Sequence, residues 1–157
     1  MAKILIVDDH LYSHELLEVL LAPHGHTFLH AYDGEEALAT VHSTPPDLVI
    51  ADIAMPHMDG CELVRRLRSN PTTAAIKVIL SSATVAIEPI QQFADLYNVQ
   101  AVFAVPITTE EIIRQVHTVL APSIEGDPSM LNLEPSSTKL NSTLLLSIVG
   151  LAAFTVL

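Results

Sequence analysis

Three carboxylates and one hydroxyl in this chain stand just beyond short apolar runs. Asp8 and Asp9 follow Ile4–Val7, Asp52 follows Leu48–Ala51, and Ser82 lies just past Lys77–Leu80. Pro106 comes after a further run, Ala101–Ala104. If these runs are parallel strands, the side chains meet at the C-terminal edge of one sheet, where α/β folds collect functional groups. Carboxylates gathered there repel one another and favour a hard divalent cation. Mg²⁺ takes oxygen ligands, usually one or two carboxylates together with waters and phosphate oxygens. A carboxylate beside such an ion can attack phosphorus and form an aspartyl phosphate. The ion offsets charge on the transferring group, and a nearby hydroxyl can donate to the new phosphoryl oxygen. Taken singly, an Asp or Ser after a strand is more often a turn former or a helix cap. The joint placement, each group at the same end of its own run, carries the chemical reading.

The elements that must position these groups are legible. Five apolar runs, Ile4–Val7, Thr27–His30, Leu48–Ala51, Lys77–Leu80 and Ala101–Ala104, alternate with amphipathic stretches. The first, third and fourth are almost continuously apolar, as strands buried on both faces are. Between them, Leu16, Leu17, Leu20 and Leu21 form a helical stripe that stops at Pro23 and Gly25. Ile87, Ile90, Ala94 and Tyr97 form a second stripe, and Ile112, Val116, Val119 and Leu120 another. Asp33 with Glu36, and Thr108 with Glu111, have the spacing of capping boxes. The alternation predicts βαβ units, a parallel sheet and helices on both of its faces.

Composition narrows the function classes. The chain has 157 residues, half of them hydrophobic, with 18 acidic against seven basic residues and a formal charge of −11. No basic patch or stripe suits a nucleic acid. Cys61 is the single cysteine, so no internal disulfide forms, and it reads as a small packing residue rather than a reactive thiol. The N-terminal apolar run is too short for a signal-peptide core, which predicts a cytoplasmic domain. The strand–helix pattern ends near Ala121. Residues 122–139 read as a flexible linker rich in Pro, Ser and acidic residues. Leu140–Leu157 is a charge-free apolar segment, near the lower limit of about 17–25 residues that spans a bilayer. It reads as a tail helix anchoring the domain to the inner face of the membrane, or as the start of a truncated region. An amphipathic helix packed on a partner ranks last, because the segment is apolar all round.

The runs Ile-Leu-Ile-Val-Asp-Asp-His, Asp52-Ile-Ala-Met55-Pro56-His-Met-Asp59-Gly60 and Val-Ile-Leu-Ser-Ser-Ala resemble the receiver domains of two-component response regulators. The resemblance covers residues 1 to 121 in order and with normal spacing. It implies a flavodoxin-like, doubly wound five-stranded parallel sheet of order 2-1-3-4-5 with five helices. It also implies that Asp52 is the phospho-acceptor and Ser82 the switch hydroxyl. Asp8, Asp9, Asp52 and the backbone carbonyl of Ala54 become the Mg²⁺ ligands, Asp59 a helix cap, and the bond between Val105 and Pro106 cis. A histidine kinase or phosphotransfer protein would donate the phosphoryl group. Output would pass to a downstream protein partner, with no nucleic acid bound and no turnover of an outside substrate.

Two positions depart from the family pattern. Val105 stands where the family carries a lysine that pairs with the phosphoryl group, and Lys3 and Lys77 begin their strands at the far edge. Val102 stands where many members carry an aromatic that swings inward, while the adjacent Phe103 points to the other face. These departures support an alternative, a pseudo-receiver that keeps the fold as a binding module with weakened switching. Five histidines are expected at the surface: His10 and His14, one helical turn apart, and His24, His26 and His30 around a turn and an edge strand.

Overall fold

A computed structural model describes residues 1–83 and 87–122. Most of the expected linker, and Leu140–Leu157 with its proposed anchoring role, lie outside the described residues. Met1–Pro122 forms one compact unit.

Five strands, β1 (Lys3–Val7), β2 (Thr27–Ala31), β3 (Leu48–Asp52), β4 (Lys77–Ser82) and β5 (Ala101–Ala104), alternate with five helices. These are α1 (Leu11–Leu21), α2 (Gly34–Ser43), α3 (Gly60–Ser69), α4 (Ile87–Leu96) and α5 (Thr109–Leu120), with a 3₁₀ turn at Ala22–His24 after α1. The strands are all parallel in the order β2-β1-β3-β4-β5. That is the doubly wound architecture expected. Among the described residues no helix is long and apolar enough to cross a membrane.

Strand alternation divides the core in two. Leu5, Val7, Val49, Ala51, Val78 and Leu80 face α2, α3 and α4. Ile4, Ile6, Leu48, Ile50, Ile79 and Phe103 face α1 and α5. Val102 packs with the first group and Phe103 with the second, as the two-residue strand period requires. Asp33 caps α2 by accepting from the Glu36 N–H, and the Glu36 carboxylate returns to the Tyr32 N–H. Thr108 caps α5 through the Glu111 N–H, but the Glu111 carboxylate turns to Arg114 and Gln115, so that box closes on one side only.

Three strands run further than the apolar pattern indicated. Ala31 ends β2, and Asp52 and Ser82 are themselves the last residues of β3 and β4. Ladder pairing continues through them, with Asp52 opposite Ser81 and Ser82 opposite Ala104. Hydrophobicity ended the sequence pattern, whereas backbone hydrogen bonding ends the strand.

Candidate functional site

The C-terminal edge of the sheet brings Asp8, Asp52, Ser82 and Val105 around one cavity of about 530 Å³. Asp8 leaves β1 with its N–H donating to the Ala31 carbonyl at 3.2 Å, which ties the acidic pair to the end of β2. Asp52 is fixed by its place in the ladder, and Ser82 is buried. The loop from Ile53 to Asp59 folds back under Asp52. The Gly60 N–H donates to the Ile53 carbonyl, and a Cβ at Gly60 would run into the Asp52 carbonyl oxygen. Only glycine allows that approach. Met55 and Met58 are buried beneath the loop, and Asp59 accepts from the Glu62 N–H at 2.7 Å, capping α3 as expected. His57 takes a left-handed backbone conformation, φ 64°. The peptide bond between Val105 and Pro106 is cis.

Among the described residues, no lysine or arginine lines this cavity. Burial, then the negative charge of Asp8, pushes the Asp52 carboxyl above its ordinary value, and the backbone N–H groups of Ile53 and Ala54 offset part of this. Lys77 is spent at the opposite edge, where its Nζ donates to the carbonyls of Val119 and Ala121. Arg68 is engaged with four main-chain carbonyls, those of Ala74, Ile76, Tyr97 and Asn98. Val105, half-exposed, brings no charge.

Among the described residues, His10 is the basic side chain set against the acids. Its ring Nδ1 lies 2.9 Å from Asp9 Oδ1 and 3.2 Å from Asp8 Oδ1, and its backbone N–H donates to Asp8 Oδ1. The hydrogen bond to Asp8, then the charge of Asp9, raises its pKa. The ligating atoms of Asp8, Asp9 and His10 lie within 4.8 Å of one another; Asp52 stands outside that tight trio. His10 is exposed, as expected, but it is drawn to the acidic pair. The carboxylate oxygens of Asp8 and Asp9, with Asp52 at the same sheet edge, are donors of the kind a hard cation takes.

Residues 4–117 match the response regulator receiver domain family. The chain belongs to that family. Protein PilH of Pseudomonas aeruginosa is 32% identical over 121 residues, spanning 77% of this chain and 99% of PilH. The gliding motility regulatory protein of Myxococcus xanthus is 34% identical over 116 residues, which cover 71% of this chain but 15% of that protein. The structure of the chemotaxis response regulator CheY4 of Vibrio cholerae superposes with a TM-score of 0.69 at 26% identity, covering 76% of this chain and 98% of CheY4.

Three surface expectations for histidines in this receiver domain are corrected, the first being His30, which is half-buried on β2 with its Nδ1 2.9 Å from His14 Nδ1. His14 is 2% exposed, enclosed by β2, the ring of Tyr32 and the main chain of Asp8. Its polarity masked a core position on α1 between the more exposed Ser13 and Glu15. His26 is half-buried, with both ring nitrogens shielded, and burial lowers its pKa ahead of the neighbouring His117. Arg68 was also missed: a basic residue in the last turn of a helix looks like a solvated end, and nothing local signals four carbonyl partners.

Proposed function

We propose that this receiver domain accepts a phosphoryl group on Asp52 from a histidine kinase or phosphotransfer protein and signals through protein contacts. The observation that carries the reading is Asp52 itself: half-buried at the end of β3, on the same cavity as Ser82, with its carboxyl raised by burial and then by the negative charge of Asp8. In the transfer, an Asp52 carboxylate oxygen forms the new P–O bond, and the donor's P–N bond breaks with its electron pair returning to the imidazole. Asp8, Asp9, Asp52 and the Ala54 carbonyl would hold Mg²⁺, which supplies positive charge to the transferring group. Ser82 would donate its hydroxyl to a phosphoryl oxygen. The reaction ends on the protein, so no outside substrate is turned over. The acidic composition supports a protein partner, the short N-terminal apolar run supports a cytoplasmic setting, and Leu140–Leu157 would serve as a tether.

Beryllofluoride with Mg²⁺, a phosphoryl mimic, tests the reading when backbone amide shifts are followed. Binding at Asp52 should perturb the ends of β1, β3 and β4. Absence of any site response would count against it. Val105 favours the pseudo-receiver as the second reading. It is supported if the site amides respond while those of α4, β5 and α5 stay still. Membrane fractionation of the full chain tests the tether, which a freely soluble chain would contradict.

A further inference from the structure

We infer that His14, oriented by His30, is a positioning residue that sets the backbone of Asp8 in the metal site; the inference rests on the reading of Asp8 as a metal ligand. The geometry assigns the proton positions. His14 Nε2 lies 2.7 Å from the Asp8 carbonyl oxygen. A carbonyl can only accept, so Nε2 carries the hydrogen. His14 Nδ1 lies 2.9 Å from His30 Nδ1. A second proton on His14 would bury a charge, so its Nδ1 is the acceptor and His30 Nδ1–H the donor. His30 Nε2 lies 3.7 Å from Glu18 near the surface, beyond hydrogen-bond distance.

This gives a directed chain from β2 through α1 to the first acid of the pair. Both main-chain groups of Asp8 are then fixed, its N–H by the Ala31 carbonyl and its C=O by His14. With the main chain held, the Asp8 side chain leaves at a set angle, and the peptide that leads to Asp9 is set as well. The His14 ring is wedged between those of His30 and Tyr32, at centroid distances of 5.1 and 4.7 Å, which limits its rotation. Partners that orient metal ligands from behind typically change affinity by about 10–100-fold when removed.

The test has two arms. Long-range ¹H–¹⁵N correlations of the imidazole rings, recorded without metal, should show His14 protonated on Nε2 alone and His30 on Nδ1. A His14 ring protonated on Nδ1 overturns the inference. The second arm is a Mg²⁺ titration followed at the site amides. His14→Phe fills the same space without hydrogen bonds and should weaken Mg²⁺ roughly tenfold. His14→Gln restores an amide N–H at the Nε2 position and should recover to within roughly threefold of wild type. His30→Phe changes a side chain that is 34% exposed, stands in if His14→Phe does not fold, and should give a loss between these two. A folded His14→Phe variant, or failing that His30→Phe, with wild-type Mg²⁺ affinity overturns the positioning role alone. A wild-type protein that binds no Mg²⁺ at Asp8 and Asp9 overturns the reading beneath it as well.

Discussion

Restoring a lysine at position 105 should strengthen the link between phosphorylation and the α4, β5 and α5 face. Val105 is 47% exposed and lines the same cavity as Asp52 and Ser82, so a lysine there can extend toward the phosphoryl position. A charge-assisted hydrogen bond is worth about 1.5–3 kcal/mol. Half-exposure and solvent screening argue for the lower part of that range, about 1.5–2 kcal/mol. A two-state switch is biased only by the difference in interaction energy between its states. If the lysine reaches the phosphoryl group in the active conformation alone, this energy acts on the equilibrium, about ten- to thirtyfold in the active-to-inactive ratio. The same ammonium should draw the Asp52 carboxyl back down, since it opposes Asp8. The assay compares amide shifts in α4 and α5 for wild type and Val105→Lys, each saturated with beryllofluoride and Mg²⁺. Larger, saturating shifts in the variant are expected. If wild type already shows full shifts and the variant adds nothing, another group has taken the lysine's part and the reasoning fails.

Asp52→Asn should raise stability at neutral pH by about 1 kcal/mol, the Coulomb scale for two like charges about 4 Å apart under full water screening. The sign follows from the raised carboxyl. The folded state holds its proton to higher pH than the unfolded chain, so stability from this group is present in acid. It is lost as pH rises between the ordinary and the raised values; urea melts of the variant should lack that loss, and an identical pH profile would contradict it. Gly60→Ala should cost about 1–3 kcal/mol in urea melts, because its Cβ meets the Asp52 carbonyl; a neutral effect would show that the loop yields freely. Arg68→Leu should cost about 2–4 kcal/mol by leaving several carbonyls without donors, and a change under 1 kcal/mol would mean that water replaces them.

The fold was legible because burial on both faces leaves an unmistakable mark in a central parallel strand. Val-Ile-Leu in β4 and Ile-Leu-Ile-Val in β1 could scarcely be anything else, and turn chemistry at Asp33, Asp59 and Thr108 marked where helices begin. The acidic edge was legible for the same reason, since a strand's end fixes where its next side chain lies. Long-range polar contacts were not. His14 and His30 are sixteen residues apart and meet only because β2 pairs with β1, and Arg68 reaches carbonyls from two loops that the sequence does not place together. The ends of β3 and β4 were missed by one or two residues, because a polar side chain does not stop the backbone from pairing.

The central claim, that Asp52 accepts the phosphoryl group, is tested most directly by intact-mass measurement after incubation with acetyl phosphate and Mg²⁺. The wild-type protein should gain a single phosphoryl group, mapped to the peptide containing Asp52, and Asp52→Asn should gain none. Labelling of the Asp52→Asn variant at the wild-type level, or no labelling of the wild type with Mg²⁺ present, would contradict the account.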